Sequence, residues 1–300
     1  MKTALVTGSA GFIGSALCKT LREGGWGIVG IDMKAGPFYG DLCRISAKDL
    51  GLPKVDAVFH LAALPGISFS VENPELTYYN NVAATMSALS LAKETGASRF
   101  VFASSSSVYG NGEGAGGRAN AEGDAPSPLN AYAASKVECE RAVRDFSTFT
   151  GMESVILRPF SVYGPEMNPC MAMSKVADSI QGGPAFRMRG DGLARRDYVY
   201  VDDVAAAFAR AAETPISGAS SMTFNAGSGV PISLRGMIGA VEAAMGASAE
   251  VDVVDEERFD AVDSWADTTL STKVLGWVPS VGFEEGVRRF AEWRAGRSAK

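Results

Sequence analysis

Short β-branched runs alternate with longer stretches of helical periodicity along the first 160 or so residues of the chain, and this rhythm constrains the fold more than any other feature. Thr3–Thr7, Gly27–Ile31, Ala57–Leu61, Arg99–Ala103 and Ser154–Leu157 read as buried parallel strands. Between them, Phe12–Glu23, Glu75–Thr95 and Ala131–Thr150 carry a helical pattern. Parallel strands must be joined by crossovers, and those crossovers are right-handed, so the expectation is an α/β fold with a doubly wound parallel sheet. After Pro165 the rhythm changes: Pro169, Gly182-Gly183-Pro184 and Gly190-Asp191-Gly192 punctuate shorter elements, which predicts a smaller, mixed α/β C-terminal lobe. Asp202–Glu213 and Met222–Asn225 read as a helix and strand returning to the main sheet, and Leu234–Met245 and Phe283–Trp293 as amphipathic helices. The Gly/Ala-rich stretch Ala115–Gly123 is expected to be a flexible loop.

Composition narrows the class. The 300 residues carry a net charge of −6, which argues against a general nucleic-acid binder, because such a protein needs a basic field. No run reaches the 18 or so apolar residues of a membrane span, and Gly8, Gly11 and Gly14 interrupt the N-terminal apolar run too early for a signal peptide. The cysteines at 18, 43, 139 and 170 form no CxxC pair, so reduced thiols and a cytoplasmic location are expected, with no metal site. His60 is the only histidine, which argues against a Ser-His-Asp triad. Set in the run Val58-Phe59-His60-Leu61, it reads as a structural residue at a strand end.

Glycine is in excess at 34 residues, and its placement carries the meaning. Thr7-Gly8-Ser9-Ala10-Gly11-Phe12-Ile13-Gly14 follows the first strand and opens the first helix. Glycines there let backbone N–H groups approach a pyrophosphate, whose negative charge the helix N-terminus favours. Asp32 closes the second strand, where a carboxylate accepts from both ribose hydroxyls and repels a 2′-phosphate. The pair predicts a dinucleotide, NAD rather than NADP, with Asp41 and Leu42 framing the adenine.

Two further segments suggest the chemistry. Ser104-Ser105-Ser106-Ser107 follows a strand, and Tyr132-Ala133-Ala134-Ser135-Lys136 lies on a helix. Tyr132 and Lys136, four residues apart, share a helix face. A neighbouring ammonium and an oxidised nicotinamide would favour phenolate, so the Tyr132 hydroxyl is expected to fall toward neutrality and serve as a base. Ser105 would hold the same substrate oxygen and relay the proton.

TGSAGFIG, Asp32, His60-Leu61-Ala62-Ala63, Ser104–Gly110 and Tyr132–Lys136 together resemble the extended short-chain dehydrogenase/reductase superfamily. With Glu72-Asn73-Pro74, Asn81-Val82, Arg158–Pro165, Arg196–Asp203, Trp265-Ala266-Asp267 and Leu275-Gly276-Trp277, the resemblance covers nearly the whole chain and is closest to NAD-dependent nucleotide-sugar epimerases and dehydratases. It implies that residues 1–164, with 197–227 returning, form an NAD-binding Rossmann domain, and that 165–196 and 228–300 form a substrate lobe. It implies NAD contacts from Gly8, Gly11, Phe12, Ile13, Gly14, Leu61, Ala62, Ala63, Asn81, Ser104, Pro159 and the Tyr132–Lys136 pair. It implies sugar-nucleotide contacts from Ser105, Ser106, Ser161 and Ser264, with Arg196 and Arg258 clamping the diphosphate. A homodimer through the helices 75–95 and 131–150 is implied as well.

Family dehydratases carry an Asp-Glu pair where Ser106 and Ser107 stand, and the decarboxylating relatives a glutamate at Ser107, so both branches are disfavoured. What remains is 4-epimerisation of a nucleoside-diphosphate sugar, most simply a UDP-hexose or UDP-hexuronate. Ser161 and Pro169-Cys170-Met171-Ala172 resemble the UDP-glucuronate enzymes, whereas Asn168 and Ser68 stand where those enzymes carry arginine. A 4-ketosugar reductase that releases its cofactor, and a non-catalytic dinucleotide sensor, stay open as alternatives.

Overall fold

The structure, a computed structural model, describes residues 1–34, 38–39, 41–45, 47–112, 117–216, 218–255 and 261–298. Twelve strands are present among them: β1 Thr3–Thr7, β2 Gly27–Asp32, β3 Phe38–Tyr39, β4 Ala57–His60, β5 Arg99–Ala103, β6 Glu153–Pro159, β7 Ser161–Tyr163, β8 Phe186–Arg189, β9 Arg195–Tyr200, β10 Ser221–Ala226, β11 Pro231–Ser233 and β12 Val251–Val254. The helices are α1 Phe12–Glu23, α2 Ala47–Leu50, α3 Ile67–Glu72, α4 Pro74–Glu94, α5 Ala131–Thr150, α6 Ala172–Ile180, α7 Val201–Glu213, α8 Leu234–Met245 and α9 Phe283–Ser298.

Seven strands form one parallel sheet in the order β10-β6-β5-β4-β1-β2-β3. The strand interiors are mostly apolar because both faces of the sheet are covered. Parity decides which side each residue serves. Ala4, Val6, Phe59, Val101, Val155 and Leu157 enter one core with Leu17 and Leu21 of α1 and Val204 and Phe208 of α7. Leu5, Val58, Phe100, Phe102 and Ile156 enter the other core with Ala88 and Leu89 of α4 and Cys139 and Val143 of α5. Each fully buried phenylalanine contributes roughly 1.5–3 kcal/mol of transfer free energy. The strand order reverses at β1, between β2 and β4, so a crevice opens beyond the C-terminal ends of those strands.

The helix ends follow local chemistry. Pro74 occupies the first turn of α4, where its missing N–H has no partner to lose, so this helix starts one residue before the expected Glu75. Asn130 caps α5, accepting from the Ala133 N–H at 2.9 Å, which places Tyr132 in the first turn.

A three-stranded sheet, β11-β9-β7, and a two-stranded one, β12-β8, make up the mixed C-terminal part. Asp203 at the start of α7 accepts from the N–H and hydroxyl of Ser280 (2.9 and 2.7 Å) and from Val281 N–H (3.0 Å), and its carbonyl takes the Trp277 indole N–H at 2.9 Å. The late Leu275-Gly276-Trp277 motif is therefore an anchor for the segment leading into α9. One expectation fails. Residues 118–124 are not a loose loop: Arg118 grips Asp124 with two bonds (2.9 and 3.0 Å), and Asn120 is buried with its N–H on the Trp265 carbonyl at 2.8 Å. Positions 115 and 116 lie outside the described residues.

Candidate active site

The glycine loop wraps the start of α1 at the crevice. Gly8 donates to the Ile31 carbonyl at 2.9 Å, and Gly11 donates to Gly8 O at 3.0 Å, giving a compact turn. Gly8 has φ +71°, and a Cβ there would lie 2.8 Å from Ala62 N. At Gly14 an added Cβ would stand 2.0 Å from Gly8 O. Phe12 and Ile13 pack on the core from the first turn of α1. No side chain caps that helix at Gly11, so its leading N–H groups face the crevice as an anion site. Leu61, Ala62 and Ala63 line the opposite wall, with Leu61 N–H on the Thr7 carbonyl at 3.1 Å.

Asp32 stands at the end of β2 with one carboxylate oxygen on Ala10 N–H (2.9 Å) and the other on Lys34 N–H (2.7 Å). Each oxygen keeps a lone pair for an incoming hydroxyl. Asp41 caps the turn Leu42–Arg44 through Cys43 N–H at 3.0 Å, while the Leu42 side chain is buried in the core. Cradle and carboxylate together fit the pyrophosphate and ribose of a dinucleotide.

Ser105 stands where its hydroxyl acts on the Tyr132 phenol and favours the ionised form. The Lys136 ammonium lies 5.8 Å from the Tyr132 ring centroid, 4.9 Å from that of Phe102, and donates to the Ala103 carbonyl at 2.7 Å. Burial lowers Lys136 to about 8, against the upward pull of Cys139 and Glu140. In the protein alone the tyrosine is governed by its burial. Burial pushes its hydroxyl above the ordinary value, and the bond with Ser105 pulls it back only in part. A lysine engaged with a carbonyl does not by itself bring the phenol toward neutrality. Ser106 and Ser107 continue the turn, with Ser107 N–H on the Ser105 hydroxyl at 3.2 Å.

Behind these groups lies a buried polar chain. Asn81 accepts from Leu64 N–H (2.7 Å) and donates to Leu64 O (3.3 Å) and to the Ser135 hydroxyl (3.0 Å), so its amide fastens a crevice wall to α5. Ser104 donates to Glu140 at 2.6 Å, and Pro159 ends β6 beside Ala226. His60 bonds Thr7 at 2.7 Å and Thr85 at 3.1 Å and stacks on Phe102 at 5.7 Å.

Burial, aided by the Lys136 charge, lowers His60 to about 3, which makes it a structural residue with a pH signature. The unfolded chain takes a proton near pH 6.5 that the folded chain refuses, so this stabilisation is full above about 6.5 and drains as pH falls toward 3. Between pH 6.5 and 5 the loss should reach about 2 kcal/mol from one group. With no second histidine in the chain, urea midpoints across that window should fall less steeply in His60→Gln than in the parent. Equal slopes would remove His60 as the cause.

In the C-terminal part, Arg196, Ser161 and Ser264 share one small sheet. Ser161 pairs in register with Tyr198, and Ser264 bridges to Arg196. The Arg196 guanidinium donates to the carbonyls of Arg195 and Val262, each at 2.9 Å, and to that of Ala261. Arg258 lies outside the described residues. Asp197, which has no site role in the sequence reading, collects Ser228 N–H and hydroxyl (both 2.6 Å), Gly229 N–H (2.9 Å) and Ala266 N–H (3.0 Å). It binds β9 to Ser228 and Gly229 and to Ala266, two residues beyond Ser264. Its only sequence signal is its place after Arg196.

A nucleotide crevice beside a serine, tyrosine and lysine group defines the extended short-chain dehydrogenase/reductase class. Within that class the chain belongs to the NAD dependent epimerase/dehydratase family, whose model matches residues 4–227. It is 30% identical to a probable UDP-glucuronate 4-epimerase of Rhizobium meliloti (strain 1021), over 96% of each chain. It is 32% identical to a UDP-glucose 4-epimerase of Mycolicibacterium smegmatis, over 98% of this chain and 99% of that one. Its fold superposes on that of MoeE5, solved in complex with UDP-glucuronic acid and NAD, with a TM-score of 0.91 and 32% identity over 98% and 99% of the two chains.

Proposed function

We propose that the chain is an NAD-dependent UDP-sugar 4-epimerase. The observation that carries this reading is Lys136 beside the Tyr132 ring on one face of α5, with the Ser105 hydroxyl acting on that phenol and neutral Ser106 and Ser107 where elimination would need an acid and a base. NAD, when bound, supplies the hydride acceptor and donor and a positive charge that favours phenolate. Tyr132 takes the sugar hydroxyl proton through Ser105 as the carbon is oxidised, and returns it after the ketone presents its other face. Lys136 stabilises the phenolate electrostatically, and the waiting ketone needs no strong acid or base at 106 or 107. Gly8, Gly11, Gly14, Asp32 and the Leu61–Ala63 wall hold the dinucleotide in this reading, and Asn81 and Ser104 serve by positioning. Arg196 and Ser264 face the nucleotide sugar from the lobe 165–196 and 228–300, and Ser161 faces it from the end of the Rossmann domain.

A homodimer fits an exposed apolar stripe on α4, where Leu76, Tyr79 and Met86 are 55%, 73% and 50% exposed. All four cysteines are thiols, which suits a reducing, cytoplasmic setting. No helix among the described residues is long and apolar enough to cross a membrane.

The deciding experiment is to denature the purified protein and measure released nucleotide, then to give the native protein UDP-glucose, UDP-glucuronate and UDP-N-acetylglucosamine in turn. Retained NAD, C4-inverted product and no accumulation of NADH are expected. Product that forms only with added NADPH would overturn the reading in favour of a reductase.

A further inference from the structure

Helix α5 runs on past Tyr132 and Lys136 to Glu140, one more turn along the same face. The Glu140 carboxylate is 1% exposed. It accepts Arg158 Nε at 2.8 Å and Nη2 at 2.7 Å, Arg144 Nη2 at 2.7 Å and the Ser104 hydroxyl at 2.6 Å. A buried ion pair is weak evidence of a stability device, because apolar replacements often do as well. Its location suggests another use. Ser104 precedes Ser105, and the Lys136 ammonium holds the neighbouring Ala103 carbonyl at 2.7 Å. Two side chains of α5 thus grip the end of β5 on either side of one peptide unit, immediately before Ser105. With that grip, the strand end is tied to the second and third turns of α5, the helix that carries Tyr132.

We propose that Glu140 is a positioning residue for the reaction: through Ser104 it fixes Ser105 against Tyr132, and it sets a carboxylate one turn beyond Lys136 on the same helix face. The proposal rests on the reading of Ser105, Tyr132 and Lys136 as the catalytic group.

The electrostatics agree with the geometry. Burial alone would raise the Glu140 carboxyl, but the bonds and charge of Arg158, with Ser104 and Arg144, hold it below its ordinary value. Lys136 faces Cys139 and Glu140 on its own helix, His60 on β4 and the Tyr132 ring. Glu140 faces Arg144 on α5 and Arg158 on β6; behind Arg158 stand the Tyr109 ring at 4.8 Å, Glu122 and Asp124. Among the charges facing Lys136, Glu140 is a carboxylate that opposes the effect of burial.

Two variants separate position from charge. Ser104→Ala cuts the tie and leaves the ion pairs, and should lower kcat about 10-fold with KM within about threefold, on the scale at which misplaced groups lose rate. Ser104→Thr keeps a hydroxyl and should restore most of that loss. Glu140→Gln keeps an acceptor for Ser104 but removes the charge, and should also move the alkaline limb of the kcat profile down by about one pH unit. A merely structural Glu140 would shift the urea midpoint and leave both the kcat of folded protein and the limb in place. Ser104→Ala with kcat within about twofold of the parent, or an unmoved limb in Glu140→Gln, overturns the proposal. If Glu140→Gln does not fold, the Ser104→Ala and Ser104→Thr pair decides alone. Tyr132→Phe run alongside identifies the other failure: retained turnover there would mean that the catalytic group itself is misread.

Discussion

Tyr132→Phe should lower turnover by about 10³-fold, the scale of a lost general acid–base group, while the protein stays folded and keeps its NAD. The substitution removes one oxygen and leaves the ring in place. That oxygen is the one whose ionisation the Ser105 hydroxyl favours. The glycine cradle and Asp32 lie at the ends of β1 and β2 and do not touch it, so nucleotide retention should be unaffected. Burial pushes the phenol up in the protein alone, and the nearest ammonium is committed to the Ala103 carbonyl. A hydroxyl held up in this way is a poor base until further positive charge arrives, so proton transfer should depend on loaded cofactor. Initial rates with a UDP-sugar, set against nucleotide released on denaturation and against the urea midpoint, separate the three effects. A variant that turns over at the parental rate would remove Tyr132 from the mechanism. One that loses both NAD and stability would make it a structural residue.

What the sequence discloses follows the range of the interactions involved. β1 and α1 end at the residues expected, because their limits are written locally: a β-branched run stops at Thr7, and glycines open the helix at Phe12. The spacing of Tyr132 and Lys136 reveals their shared face for the same reason. Asp197 is another matter. Its partners are Ser228, Gly229 and Ala266, brought together only by the folded chain, and nothing near it in sequence marks a three-segment junction from an ordinary surface acid. Glu140 was half legible, being four residues beyond Lys136, but its meaning comes from Ser104 and Arg158 on other elements. β8 is short and alternates apolar with charged residues, and β9 opens on Arg195-Arg196-Asp197, so their pattern is weaker than that of the buried parallel strands. Composition misled at residues 118–124. Glycine and alanine suggested slack, whereas Asn120 and the Arg118–Asp124 pair tie the segment down. Sequence spacing reveals the ammonium beside Tyr132 but not how deeply the phenol is buried, and burial raises its hydroxyl in the protein alone.

Gly14→Ala should empty the protein of NAD and destabilise it by about 3 kcal/mol or more, at the upper end of what overpacking costs. In an ordinary helix the same change would favour folding by up to about 1 kcal/mol, so the sign is decided by what the methyl group meets. It meets backbone. The new Cβ would lie 2.0 Å from Gly8 O, 2.9 Å from Gly8 C and 3.1 Å from Ser9 Cα. No flexible side chain is present to move aside. Either α1 withdraws from β1, opening the core around Leu17 and Leu21, or the turn carrying Gly8 shifts. Gly8 has little room to shift, since its N–H is held by Ile31 O at 2.9 Å and its Cα faces the peptide of Leu61 and Ala62. Both responses move the N–H groups that would receive the pyrophosphate, so stability and nucleotide should be lost together. Gly11→Ala is the internal control: its Cβ would come 3.1 Å from Gly8 O, close enough to need a few tenths of an ångström of relaxation and no more. NAD released per chain and urea midpoints for the two variants make the comparison. If Gly14→Ala retained stoichiometric NAD, the turn between β1 and α1 would not be where the pyrophosphate sits.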